Sequence, residues 1–74
     1  MTFEEFLKAC TFDFYEDKAM KRHYVQACFS GSKKHRYWYH LREVPKRIYL
    51  DKNKAKEIVA DSFYWSLLSK GELE

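Results

Sequence analysis

Apolar residues recur at helical spacing near both ends of the chain. Thr2 and Glu5 have the spacing of a capping box and predict a short amphipathic helix over about residues 3–10. Near the other end, Asp51 is a good N-cap for a helix that runs to about Ser69, and a glycine follows soon after. The pattern therefore places one short helix and one long helix at the two ends of the chain.

Between these helices, apolar and polar residues alternate in the way that is typical of strands. Residues 35–42 form the clearest predicted strand, and residues 47–50 form a short third strand after a proline turn. Residues 18–29 leave two alternatives open. One is a strand over 23–29 that makes a β-hairpin with the next strand, which we prefer, and the other is a helix that ends at Gly31.

The predicted element order is α-β-β-β-α, with residues 11–17 as a connection. We expect an α+β domain, in which a three-stranded antiparallel sheet carries an N-terminal helix and a longer C-terminal helix on one face. At 74 residues the chain is about half the usual length of a domain. We therefore predict one compact domain over residues 1–74 and no internal linker.

The composition narrows the class of protein. Aromatic residues make up 19% of the chain, and it has only Gly 2 and Pro 1, so it is too apolar and too regular for a disordered tail. No apolar run approaches the ~20 residues of a membrane span, and the acidic start does not resemble a signal peptide. Two cysteines are too few for a disulfide framework. We expect a complete, reduced, cytoplasmic protein that does not enter a membrane.

Residues that could carry chemistry are sparse. The three histidines and two cysteines lack the spacing of a zinc site, and two glycines cannot build a phosphate-binding loop. A lone cysteine near a histidine does not make a nucleophile without a pocket around it. We therefore expect no enzyme, no metal, no cofactor and no small-molecule substrate.

Positive charge is concentrated in the middle of the chain. Residues 18–54 carry eleven Lys or Arg against Glu43 and Asp51, whereas the segments on either side are acidic overall. Basic segments attract phosphate through the release of counterions, although they can also be ordinary solvated surface. The distribution favours a polyanionic partner such as nucleic acid.

Alternation along the predicted strands divides their side chains between two faces. If Tyr37, Tyr39 and Leu41 point inward, the outward face combines guanidinium groups with flat rings. That is the chemistry of a platform on which single-stranded bases stack while cations hold the phosphates. The predicted outward face consists of Arg36, Trp38, His40, Arg42, Arg47 and Tyr49. The alternative is that Trp38 packs under a loop or the other helix.

The start of the long helix carries a second basic group, formed by Lys52, Lys54 and Lys56. The run from Lys52 to Lys56 resembles the Lys-Lys-x-Ala-Lys motif of double-stranded-RNA-binding domains, with Asn53 in place of the second lysine. The resemblance implies the α-β-β-β-α fold and phosphate contacts across a major groove from Lys52 and Lys56, which match the motif. Lys54 stands at the variable position of the motif, and the start of a helix attracts phosphate to lysines beside it.

A loop of the same family is also matched in part. Gly31 and His35 stand where that family has a Gly…His loop between its first two strands, with Lys33 and Lys34 between them. The family's proline in this loop is absent. The resemblance implies that the loop contacts a minor groove.

The second half of the long helix is apolar around nearly its whole circumference, and one three-stranded sheet cannot cover every side of it. The strip that we expect to contact a second copy or another protein consists of Phe63, Tyr64, Trp65, Leu67 and Leu68. The alternative is a complete intramolecular core.

These patterns together favour a small non-catalytic protein that binds duplex RNA or DNA. The alternative is a small accessory protein, of the kind found in phages and other mobile elements, that binds and inhibits a host protein through an aromatic surface.

Overall fold

The computed structural model describes residues 1–30 and 37–73. Three antiparallel strands form one sheet in the order β1-β2-β3, and a short helix precedes them while a long helix ends the chain. The fold is therefore α+β with the predicted α-β-β-β-α order, to which one short helix is added before the last. The elements are α1 (Phe3–Ala9), β1 (Thr11–Asp17), β2 (Arg22–Ser30), β3 (Tyr37–Glu43), α2 (Lys46–Leu50) and α3 (Lys52–Ser69).

The assignment of the three strands differs from the prediction in two places. Residues 11–17, predicted as a connection, form β1, because Phe12 and Phe14 alternate with polar residues and pack against the helices. The predicted strand over residues 47–50 is wrong, since these residues lie in the single turn of α2. The backbone N–H groups of Ile48 and Tyr49 both donate to the carbonyl of Pro45, at 3.0 and 2.9 Å. The strand alternative for 23–29 is confirmed, and the helix alternative is wrong.

The two predicted helices begin where their caps place them. In α1 the Glu5 N–H donates to Thr2 Oγ1 at 3.2 Å and the Thr2 N–H donates to Glu5 Oε1 at 2.8 Å, which completes the capping box. In α3 the Lys54 N–H donates to Asp51 Oδ1 at 3.2 Å. After α3, Gly71 adopts a left-handed φ of 71°, which glycine tolerates best and which lets the chain turn away.

All three helices cover the same face of the sheet, and the core lies between them. Along β2 every second residue is buried, from His23 to Phe29. Phe6 of α1 is the centre of this core, because it is fully buried and its ring lies 4.8 Å from Phe29 and 5.3 Å from Phe63 between ring centroids. The other face of the sheet carries no helix in the described part of the chain.

The side-chain directions along β3 are opposite to the prediction. The register pairs Trp38 with Phe29 and His40 with Ala27, and residues paired across strands share a face. Trp38 and His40 therefore point towards the helices, while Tyr37, Tyr39 and Leu41 point away from them. The cause is the pairing with β2, whose buried residues fix which face of β3 is covered.

Candidate interaction surfaces

The uncovered face of the sheet carries a cluster of tyrosines. The register places Tyr15 beside Tyr24 across β1 and β2, and Tyr39 beside Cys28 across β2 and β3. Tyr37, Tyr39 and Leu41 are 64%, 63% and 59% exposed, which is unusual for three large side chains on one strand. We call this surface the tyrosine face; it consists of Tyr15, Tyr24, Tyr37, Tyr39 and Leu41.

Local contacts hold part of the tyrosine face in place. Tyr15 Oη donates to the side-chain oxygen of Gln26 at 3.4 Å. The pKa of Tyr39 is raised from its ordinary value, first by the neighbouring Cys28 and then by partial loss of hydration. Tyr39 thus remains a neutral phenol, able to pack against an apolar surface and to donate one hydrogen bond.

Charges around the tyrosine face are mostly negative. Asp13, Asp17 and Glu43 share the face by alternation, and Arg22 is the one cation among its described residues. Arg22 Nε lies 4.0 Å from Glu43 Oε2, a contact of little energetic worth at this exposure. The pKa of Arg22 is raised, first by a hydrogen bond with Tyr24 and then by Glu43. Three carboxylates against one guanidinium would repel a phosphate backbone.

The residues of the predicted platform that the structure describes do not form one exposed surface. Trp38 and His40 are half-buried on the helix side, where the His40 ring stacks on Phe63 with centroids 5.3 Å apart. Tyr49 is half-buried on α2 and packs beside His23, with centroids 4.8 Å apart. Arg42 and Arg47 are exposed, on the helix side of β3 and on α2 respectively. The predicted outward direction of Trp38 and His40 is therefore wrong, and the half-buried Trp38 lies on the helix side, as the alternative of packing under a helix expects.

His40 is held by α3 rather than presented to a ligand. Its Nε2 lies 3.2 Å from Ser62 Oγ. Burial, followed by the nearby Arg42 and Lys70 cations, lowers the pKa of His40 from its ordinary value. The ring is therefore kept neutral and packed, which suits a structural role better than a phosphate contact.

The three lysines at the start of α3 are not equivalent. Lys52 Nζ lies 4.0 Å from the centroid of the Phe14 ring and 4.2 Å from that of Tyr49, and Lys56 Nζ lies 5.8 Å from that of Phe12. Both lysines thus cover the rings of β1 and α2 through cation–π contacts. The side chain of Lys54 is exposed, and its backbone N–H donates to the side chain of the N-cap residue. Lys33, Lys34, His35 and Arg36, which were also predicted to bind nucleic acid, lie outside the described residues.

A basic cleft that the sequence did not predict opens at the β1–β2 turn. It measures ≈ 460 Å³, and its lining includes Lys18, Lys21, Arg22 and Lys46. Lys21 has a left-handed φ of 55°, a conformation that costs a residue with a side chain about 1 kcal/mol. These lysines lie in the basic middle of the sequence. The cleft was not predicted because residues 11–17 were expected to be a connection, whereas their pairing with β2 places the β1–β2 turn beside α2.

The strip predicted as a protein interface belongs mainly to the core. Phe63 and Leu67 are 2% and 1% exposed, and Tyr64 and Leu68 are half-buried. Tyr64 Oη donates to the carbonyl of Met1 at 2.7 Å, which ties the helix to the start of the chain. The alternative of an intramolecular core therefore describes these residues, and Trp65 alone remains well exposed, at 61%.

None of the helices within residues 1–30 and 37–73 is both long and apolar enough to cross a lipid bilayer. In the same two ranges, no three His, Cys, Asp or Glu side chains are grouped so that they could hold a metal ion.

No protein-family model, curated protein or solved structure matches this chain. Its own residues therefore carry the functional inference.

Proposed function

We propose that this is a non-catalytic binding protein that docks on another protein through the tyrosine face. The observation that carries the proposal is the exposure of Tyr37, Tyr39 and Leu41 on a sheet face that the helices leave uncovered. Tyrosine is among the residues most enriched where proteins bind one another, since it offers a large rigid ring and one hydrogen-bonding group.

The charges on this face indicate the kind of partner. Asp13, Asp17 and Glu43 outnumber Arg22 around the rings. The complementary surface on the partner is apolar at its centre and basic at its rim. Such charge complementarity makes association faster and more selective than burial of the same area without it. A protein docked on such a surface blocks other molecules from binding there, so the expected effect on the partner is inhibition. That is the mode of action of small accessory proteins of phages and other mobile elements.

The test places a photo-crosslinking amino acid at Tyr39 in one variant and at Trp65 in another. The two side chains are equally exposed, at 63% and 61%, but lie on opposite sides of the molecule. In the cell of origin, the Tyr39 variant should give one discrete crosslinked protein, and the Trp65 variant should not. The purified partner should then lose at least about tenfold in affinity with Tyr39→Ala and little with Trp65→Ala. Crosslinks from position 65 alone would contradict the proposal.

Nucleic-acid binding is a second candidate function, and the basic cleft at the β1–β2 turn favours it. Four cations line that cleft against Glu16 and Glu43, and the strained Lys21 stands at its edge. If nucleic acid binds in this cleft, its phosphates lie against the β1–β2 turn and its bases do not stack on the sheet.

Fluorescence anisotropy with labelled duplex RNA, duplex DNA and single strands tests this second function. Binding through the cleft should weaken steeply with salt, by roughly one logarithmic unit of slope per phosphate contacted. Lys21→Ala and Lys46→Ala should each reduce that slope, whereas Tyr39→Ala should leave it unchanged. Absence of binding to all three ligands at low salt would exclude the candidate.

A further inference from the structure

The sheet has two outer edges, and they differ in how they are protected. Proteins usually guard an exposed edge strand with charges, prolines or bulges, because its free backbone groups invite pairing with another strand. β1 carries Asp13, Glu16 and Asp17 within its seven residues. β3 carries its two charges, Arg42 and Glu43, at its end, and its run from Tyr37 to Leu41 has no proline, glycine or formally charged residue. No strand of the described chain pairs with its outer edge.

The sequence of β3 is complementary to itself in one antiparallel register. When two copies pair with His40 opposite His40, all seven residues of the strand find a partner within it. Tyr39 then lies opposite Leu41, so an aromatic ring packs on an aliphatic side chain. Trp38 lies opposite Arg42, which permits a cation–π contact. Tyr37 lies opposite Glu43, whose carboxylate can accept a hydrogen bond from the Tyr37 hydroxyl.

Neighbouring registers that keep the faces matched are poorer. Pairing centred on Tyr39 leaves Arg42 and Glu43 beyond the start of the partner's β3. Pairing centred on Leu41 sets Arg42 opposite His40 and leaves Tyr37 and Trp38 unpaired. The register centred on His40 is therefore the one that uses the whole strand.

We infer that β3 pairs with β3 of a second copy, so that two chains form one continuous six-stranded antiparallel sheet. A two-fold axis perpendicular to the sheet relates the copies, since residues on the same face become partners. Both tyrosine faces then lie on the same side, and the helices of both chains lie on the other.

The pairing goes beyond the proposed docking, because it uses the outer edge of β3 and a second copy of the same chain. It can be measured on the isolated protein, so failure of the pairing and failure of the docking can be told apart.

The experiment is sedimentation equilibrium of the purified chain from about 1 to 500 μM, a range wide enough for a weak dimer. We expect a monomer–dimer equilibrium for the natural sequence. Changing both Tyr39 and Leu41 to Lys sets like charges opposite each other twice across the two-fold axis. This variant should raise the dimer dissociation constant at least about tenfold. The variant with both changed to Glu should do the same.

A mixture of the Lys and Glu variants tests whether positions 39 and 41 of the two copies lie opposite each other. The two should form a heterodimer more readily than either forms a homodimer, because positions 39 and 41 then face opposite charges. Trp65→Lys, at a position of matched exposure, should dimerise like the natural sequence. Circular dichroism should show all variants folded, since both β3 positions are well exposed. A natural chain that stays monomeric at 500 μM, or a Lys variant that dimerises unchanged, would overturn the inference.

Discussion

Lys52 was predicted to contact phosphate, and its position in the structure gives it a different role that can be tested. Its ammonium lies 4.0 Å from the ring centroid of Phe14 and 4.2 Å from that of Tyr49. Lys52→Met removes the charge and keeps most of the side-chain stem over the rings. Each exposed cation–π contact contributes about 0.5–1 kcal/mol, so the substitution should lower the free energy of unfolding by about 1–2 kcal/mol.

Urea denaturation followed by tryptophan fluorescence measures this loss. With a slope of about 1 kcal/mol per molar urea for so small a protein, the midpoint should fall by about 1–2 M. Lys54→Met is the matched control, because that exposed side chain should change stability by less than about 0.5 kcal/mol. If both variants shift the midpoint equally, the two ring contacts do not stabilise the fold, and the structural role of Lys52 is refuted.

Three other predictions each concern a single side chain. Phe6→Ala, in the fully buried centre of the core, should cost about 3–5 kcal/mol by urea denaturation, against a total of about 4–11 kcal/mol for a chain this long. Stability should fall as the pH drops below about 6.5, because the folded pKa of His40 is lowered and the unfolded chain binds the proton more readily. The effect should shrink in His40→Asn; an unchanged pH dependence would contradict it. Burial raises the pKa of Cys10 to about 12, so at pH 8 iodoacetamide should modify the half-exposed Cys28 and spare Cys10, as mass spectrometry of the native protein can show.

The helices were predictable because their signals are local. The capping box at Thr2 and the cap at Asp51 each depend on residues within one turn, and both form as the spacing indicates. The strands were harder, because their positions depend on partners far along the chain. Residues 11–17 carry the alternation of a strand, but their acidic residues concealed it. Residues 47–50 have strand-forming side chains, yet the turn after Pro45 allows hydrogen bonds that close a helix.

The faces of β3 could not be predicted from the strand alone. Tyr37, Trp38, Tyr39, His40 and Leu41 offer large side chains to both sides, so hydrophobicity does not choose between them. The choice comes from β2, whose alternate residues are small or apolar and lie under α3. The tyrosine face follows from that pairing, and so does the partial burial of Trp38 and His40, which were first expected to bind nucleic acid.

Reversing the faces of one strand changes which ligand the sheet can accept. With Trp38, His40 and Arg42 outward, the sheet would have offered rings and cations together, as single-stranded nucleic acid requires. With Tyr37, Tyr39 and Leu41 outward, it offers rings beside carboxylates, and most cations of the described residues lie at the β1–β2 turn, on the helices and on the helix side of β3. A polyanion and an aromatic docking partner would therefore occupy largely different parts of this protein, which meet at Arg22 and Glu43. Salt should weaken the first interaction steeply and the second only slightly, because apolar burial is not screened.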